Sequence, residues 1–480
     1  MTITDVTGQG AIDDVALVVH GHFYQPPRES PWTGEVPEQP GAAPFHDWNE
    51  RITAECYRPN AERGTFEQLS FNVGPTLLSW LEAHHGDVYD LILQADRRTG
   101  RAIAQAYGHA ILPLCNGRDL RTHVRWGVTD FVHRFGRRPE GMWLPETGVS
   151  DAVLADLAEE GLRFTILAPG QVAATRQMGG VGWVDHAARG APAVPIDRPL
   201  RWRHPDGSGR SVELVVYDGA LAHALAFSEP SSEAVVTSAI VHAGETGGLV
   251  VAATDGETFG HHHRGADEVL AHALTVEAPG RGVRVPRLVD VLDERPPTHE
   301  ALVRASAWSC GHGVGRWIDD CGCHTGGQKG WSQAWRGPLR RALDLLRDWG
   351  VDVMERRGRE LLRDPWASRD DYLALLIGAR TWADFVAEHV VGDGHQAGVL
   401  LDAQRNALLM YTSCGWFFND LAGVETVQIL RYAARAIDLY EQLGEAPPVD
   451  AFLDVLAEAS SNDPEAGNGR RLWHEQVLPR

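Results

Sequence analysis

The chain has 480 residues, with 44 Lys plus Arg against 65 Asp plus Glu and a formal net charge of −21. This length points to one large domain plus at least one smaller unit, and 43 % hydrophobic residues suit a packed globular protein rather than a disordered one. The negative field argues against nucleic acid as a partner, and no uninterrupted apolar stretch of about 18 residues is present to span a membrane.

Among the basic residues only Lys329 is a lysine. Its surroundings, Thr325-Gly326-Gly327-Gln328-Lys329-Gly330, do not fit a phosphate-binding loop, and Schiff-base chemistry would have that residue alone to use. Residues 1–14 are polar, carry Asp5, Asp13 and Asp14, and lack the pattern of a secretory signal. They are expected to be disordered or loosely attached. Six cysteines are too few for a disulfide scaffold, so reduced thiols in the cytoplasm are expected.

In chain order, short apolar runs end in polar, glycine-containing turns. Val15–Val19 leads into His20-Gly21-His22, Ile111–Leu114 into Cys115-Asn116-Gly117, and Gly141–Leu144 into Pro145-Glu146. Phe164–Leu167 precedes Ala168-Pro169-Gly170, and Leu249–Ala253 precedes Thr254-Asp255-Gly256-Glu257. Helical stretches lie between several of these; Ser150 to Gly161 has start, face and stop signals. Such alternation predicts an α/β fold with a parallel sheet closed or nearly closed into a barrel over 15–295, its site at the C-terminal ends of the strands. Residues 296–332, rich in Gly, Cys, His and Trp, read as a structured loop region covering the cleft. Residues 333–480 read as a helical domain, with helical spacing over 339–349, 372–391 and 421–443. The tail after Ser460 is expected to fray.

Two strand-end carboxylates stand out, Glu146 and Asp255. A pair of carboxylates across a sugar-sized cleft is the equipment for glycoside hydrolysis, one as nucleophile and the other as acid and then base. The acid must hold its proton near neutral pH, and Glu257, two residues beyond Asp255, would raise the pKa of one of them by like-charge repulsion. Trp143 lies beside Glu146, and His261 lies just past Asp255. His20 and His22 share a face of an extended segment, which suits sugar hydroxyls or a metal.

The order of these motifs resembles glycoside hydrolase family 57. His20-Gly21-His22 with Gln25-Pro26, then Phe71-Asn72-Val73-Gly74-Pro75, Trp143-Leu144-Pro145-Glu146 and Asp255-Gly256-Glu257-Thr258-Phe259-Gly260 carry the likeness. Phe23-Tyr24 stands between His22 and Gln25, and the second motif lacks its usual closing glutamate. The resemblance implies an incomplete (β/α)7 barrel followed by helices, and a retaining enzyme acting on α-glucan by hydrolysis or glycosyl transfer. It implies Glu146 as nucleophile, Asp255 as acid/base, and Glu257 and His22 as substrate ligands. A polysaccharide or oligosaccharide partner follows, and no cofactor. The segment Met410–Asp420 is similar to an uncharacterised C-terminal helical domain attached to a subset of the family.

Between the two domains, Cys310, His312, Cys321, Cys323 and His324 fall within fifteen residues, enough for a thiolate-rich zinc site. The C-x-C gap is tighter than usual for zinc, and reduced thiols packed in a glycine-rich loop are the favoured reading. Trp317, Trp331 and Trp335 offer flat apolar faces for sugar rings, a role the family gives to tryptophans beyond its barrel. Two other readings compete. One is a metal-dependent carbohydrate hydrolase or deacetylase with His20, His22 and Asp255 as ligands; the other is a non-catalytic glycan-binding or assembly protein.

Overall fold

The computed structural model describes residues 15–228, 231–246 and 248–478; the expected loose segment 1–14 lies outside the described residues. The strands are β1 (Ala16–Phe23), β2 (Ser70–Val73), β3 (Ala104–Gln105), β4 (Met142–Trp143), β5 (Phe164–Leu167), β6 (Val172–Gln177), β7 (Val184–Asp185), β8 (Leu200–Arg203), β9 (Ser211–Val216), β10 (Leu249–Asp255) and β11 (His299–Val303).

β10, β1 and β2 pair in parallel, with His22 opposite Asp255 on one side and Asn72 on the other. The parallel row continues through a Phe71–Ala102 bridge to β3, which pairs with β4, then through a Gly141–Phe164 bridge to β5, which pairs with β9. Just past β9, the Asp218 N–H donates to the Val251 carbonyl of β10 at 2.7 Å, bringing the row back to its start. β8, β11, β6 and β7 extend from β9 as a mostly antiparallel layer.

Side chains alternate across this curved sheet, as the two-residue period of a strand requires. Ala16, Val18, Trp143, Ile166, Val215, Val251 and Ala253 pack together inside, while Leu17, Val19, Val250, Ala252 and Leu214 pack outward against the helices. On β1 the inward row continues to His20 and His22, and on β10 to Asp255. The expected helix after Ser150 spans Asp151–Glu159, with the Ser150 hydroxyl accepting from Val153 N. One of the expected strands fails to form: Ile111–Leu114 is not a strand. Pro113 has no N–H for a ladder, residues 112–114 form a short 3₁₀ turn, and the barrel strand at this point is β3.

The C-terminal region is helical, built from Arg336–Leu361, Pro365–Leu376, Trp382–His389, Gly394–Leu409, Val424–Gln442 and Val449–Leu456. The single stretch expected over 372–391 divides at Gly378, which sits at φ 73°, and Thr381 caps the helix that follows. Leu339, Leu343, Leu400, Leu401, Ile429 and Leu430 form its core, which continues into Tyr107, Ile111 and Trp126 from the barrel side. Arg369, almost fully buried, pairs with Asp119 at 2.8 Å, and the Trp126 Nε1–H donates to the Arg369 and Asp370 carbonyls at 3.0 Å. Through residue 478 the tail does not fray. Ser460 bridges Asn468, which caps Gly469–Leu472, and Trp473 packs on Phe452 with ring centroids 5.0 Å apart.

Candidate active site

A buried chain of polar groups crosses the mouth of the barrel. Ser70 Oγ lies 2.9 Å from His20 Nδ1, and His20 Nε2 lies 3.0 Å from Asn72 Oδ1. Asn72 Nδ2 donates to Gln105 Oε1 at 2.7 Å and to His22 Nδ1 at 2.9 Å. His22 Nε2 then meets His109 Nε2 at 3.2 Å, and His109 Nδ1 meets Ser413 Oγ of the helical domain at 2.7 Å. Burial pushes His20 and His109 down to about 3 and His22 well below its ordinary value, so all three are neutral. With neutral rings, one set of tautomers satisfies every link: His20 and His22 carry their protons on Nε2 and His109 on Nδ1. Trp143 stacks on both His20 and His22 at 4.9 Å.

The two carboxylates face one cavity of about 360 Å3, within the ligand-sized range of about 300–1,000 Å3. Glu146, Asp255, Tyr217, His223, Trp308, Ser309 and Phe417 are among its lining residues. Glu146 follows Pro145 in a left-handed conformation, φ 55°, and Thr147 at φ 48° repeats it. Among the described residues, the non-glycine positions with positive φ are His109, Glu146 and Thr147, all in this region. Such conformations cost about 1–3 kcal/mol each and persist where their surroundings hold them. Here the Trp308 N–H donates to the Glu146 carbonyl at 3.0 Å and to Thr147 Oγ1 at 3.1 Å.

The side-chain environments of the carboxylates differ. Glu146 Oε2 accepts from Trp308 Nε1 at 3.0 Å and from the Ser309 hydroxyl at 2.5 Å. Burial raises its pKa, while Ser309, Trp308 and the Arg316 charge pull it back. Asp255 is exposed on the open cavity; the protein packed around that cavity, then Glu257 and Glu146, raise its pKa well above its ordinary value. Glu257 is buried outside the cavity lining, its Oε1 accepting from the Tyr57 hydroxyl at 2.6 Å and from Tyr24 N at 3.0 Å, and burial raises it to about 7. Gly256 separates the two because a Cβ there would meet the Phe23 ring at 2.3 Å.

The other expected site residues scatter. His20 and His22 spend both ring nitrogens on protein partners, leaving none for a sugar hydroxyl or a metal. Together with Asp255 they form no ligand cluster among the described residues. His261 pairs with Glu55 at 2.5 Å, outside the cavity lining. Trp317, at 0 % exposure, and Trp335, at 2 %, lie in the helical core, with Trp317 Nε1 donating to the Ser413 carbonyl; Trp331 is half-buried beside Gly327. The tryptophan that does line the cavity is Trp308, edge-on to Trp143 at 5.1 Å. Trp308 opens the tryptophan-rich stretch 308–335 but is not among the residues expected to contact sugar, and Ser309 and Phe417 escape the sequence reading because no spacing singles them out; Phe417 arrives from the C-terminal helical region. Cys310, His312, Cys321 and Cys323 do come together, whereas His324 is exposed and accepts from Gly326 N.

A family model described as Glycosyl hydrolase family 57 matches residues 44–277, and one described as a domain of unknown function (DUF3536) matches residues 331–480. Among solved structures, an exo-type maltose-forming amylase from Pyrococcus sp. ST04 is similar at 15 % identity and TM-score 0.72, covering 92 % of this chain and 82 % of that one. A GH57-type branching enzyme from Pyrococcus horikoshii is similar at 14 % identity and TM-score 0.58, with 93 % and 94 % covered. An alpha-amylase from Thermotoga maritima is similar at 14 % identity and TM-score 0.58, with 96 % and 99 % covered. At these identities the likeness is one of fold. No curated protein matches the sequence. The motif order, the two matched regions and the shared fold agree: residues 44–277 match glycosyl hydrolase family 57, and residues 331–480 match the domain of unknown function that follows it in this chain.

Proposed function

We propose that the chain is a retaining glycosidase or transglycosylase of α-glucans, with Glu146 as nucleophile and Asp255 as acid/base on an incomplete (β/α)7 barrel. The observation that carries this reading is the single cavity onto which Glu146 and Asp255 both open, in environments that tune them apart. The similar solved structures are named as a maltose-forming amylase, a branching enzyme and an alpha-amylase, which supports α-glucan as the substrate class. Free cysteines throughout suit the reducing cytoplasm.

The division of labour follows from the contacts. Trp308 and Ser309 hold Oε2 of Glu146, while Oε1 takes no hydrogen bond among the described residues and is the oxygen free to attack the anomeric carbon. Asp255, kept protonated by the protein packed around the cavity and by two neighbouring carboxyl groups, gives its proton to the departing glycosidic oxygen. A glycosyl ester on Glu146 results. Asp255, now a carboxylate, takes a proton from water or from a sugar hydroxyl, whose oxygen attacks the anomeric carbon and releases Glu146. Glu257 acts through Asp255 as a positioning residue, raising its proton affinity. Trp308 and Phe417 supply apolar wall for the sugar faces.

The metal-dependent alternative lacks support, because the ring nitrogens of His20 and His22 are committed to Ser70, Asn72 and His109. Product analysis on amylose, glycogen and maltooligosaccharides tests the proposal against a non-catalytic glycan binder. Shortened, disproportionated or branched products from wild type, absent with Glu146→Gln, support it. Binding without any product from wild type overturns it.

A further inference from the structure

We propose that Cys310, His312, Cys321 and Cys323 bind one structural zinc ion, which clasps the loop presenting Trp308 and Ser309 to Glu146. This goes beyond the glycan reading, and its readout is the metal itself.

The donor atoms are already spaced for it. One ligand atom from each of the four residues lies within 4.8 Å of all the others. Cys310 Sγ is 3.9 Å from Cys321 Sγ and 3.8 Å from Cys323 Sγ, and Cys323 Sγ is 3.4 Å from His312 Nδ1. A tetrahedral zinc with Zn–S near 2.3 Å and Zn–N near 2.0–2.1 Å sets its ligand atoms about 3.8 Å apart for S···S and about 3.6 Å for S···N. A disulfide accounts for the cluster less well. It needs about 2.05 Å between two sulfurs and leaves the third stranded, whereas here one sulfur is nearly equidistant from two others.

The ligands come as two short turns, Cys310-Gly311-His312 and Cys321-Gly322-Cys323, with a glycine between the donors of each. Gly322 takes φ 81°, a left-handed turn that brings both its flanking thiols to one side. The surroundings also call for negative charge. Arg336 is buried beside the cluster, at 0 % exposure, and its Nε has no partner among the described residues. Arg336 also donates to the Cys323 carbonyl at 2.7 Å. Three thiolates, one neutral imidazole and Zn²⁺ carry a net charge of −1, which sets an anion against the Arg336 guanidinium.

The consequence reaches the active site through one peptide bond. Ser309, whose hydroxyl is 2.5 Å from Glu146 Oε2, immediately precedes Cys310, and Trp308 precedes Ser309. The loop has little regular structure of its own between β11 and the helix Arg336–Leu361, with one short 3₁₀ turn at Gly315–Trp317. A cross-link at both ends of 310–323 is what fixes it.

The test uses the full chain purified without chelator, with metal measured by plasma mass spectrometry. About one zinc per chain is expected, falling at least about tenfold in the Cys321→Ser/Cys323→Ser double variant. Because that variant can fail to fold, wild type is also exchanged with cobalt, which in a three-thiolate tetrahedral site gives intense thiolate-to-cobalt and d–d bands. Hydrogen exchange across 307–323 should rise when a chelator strips the metal, while Val424–Gln442 stays protected. Protein free of zinc whose three thiols react at once with a thiol reagent overturns the proposal. So does a disulfide between any two of them, zinc retained in the double variant, or cobalt without tetrahedral bands.

Discussion

Replacing Ser309 with alanine removes the hydroxyl that donates to Glu146 Oε2 at 2.5 Å. Burial raises the Glu146 pKa, and this hydroxyl is the first of the contacts that restrain it. A hydrogen bond to a charged group contributes about 1.5–3 kcal/mol, and one pKa unit corresponds to about 1.4 kcal/mol. Losing the bond destabilises the carboxylate relative to the acid, so the Glu146 pKa should rise by about 1–2 units. In the free enzyme the nucleophile must be ionised and the acid protonated. The acid limb of kcat/KM against pH therefore moves upward by that amount, while the alkaline limb, set by Asp255, stays in place. Initial rates on a maltooligosaccharide across the pH range measure both limbs. Trp308→Phe, which loses the 3.0 Å Nε1 bond and keeps the ring, should move the acid limb the same way. An acid limb that stays fixed or moves down, or two limbs that shift together, would refute the assignment of Glu146 as the ionised partner.

Three further outcomes follow from the packing. Glu257 titrates near 7 in the folded protein against 4.5 ordinarily, so between those values the folded state keeps a proton that the unfolded chain releases, and stability falls as pH rises. The Tm of Glu257→Gln relative to wild type should thus increase from pH 4.5 to 7 and level off above, by an amount equivalent to roughly 3 kcal/mol at most; a flat difference contradicts this. Arg369→Leu leaves Asp119 buried without its 2.8 Å partner at the domain junction and should cost about 3–5 kcal/mol in denaturant unfolding, where a cost under about 1 kcal/mol would deny the junction its importance. Gly256→Ala forces a Cβ within 2.3 Å of the Phe23 ring and should destabilise by about 1–3 kcal/mol, with reduced turnover as Asp255 and Glu257 shift; a Tm equal to wild type would contradict that packing.

Where a residue's chemistry is local, the sequence was legible. β1, β5 and β10 show as apolar runs ending in His, Pro-Gly and Asp-Gly-Glu, and the carboxylates follow directly from those ends. Ile111–Leu114 misled because an apolar run is equally suited to burial at a domain junction, and only Pro113 argued against a ladder. The tryptophans misled for a related reason. Composition marks Trp308, Trp317, Trp331 and Trp335 alike, and which of them faces the cavity is decided by tertiary packing: two filled the helical core and Trp308 reached Glu146. The Cys/His segment matches no familiar zinc spacing, and only the folded loop, which brings two glycine-centred turns together, shows its four donor groups within 4.8 Å of one another.

The covalent intermediate tests the account most directly. Asp255→Asn removes the acid and the later base, while a glycosyl fluoride of maltose needs little protonation to leave. The variant should therefore form a glycosyl ester and resolve it slowly. Peptide mapping by mass spectrometry should find a maltosyl adduct on the peptide carrying Glu146, and it should disappear in Asp255→Asn/Glu146→Gln. An adduct on another carboxylate, or turnover of the fluoride to a product of inverted configuration with no adduct at any residue, would contradict Glu146 as the nucleophile.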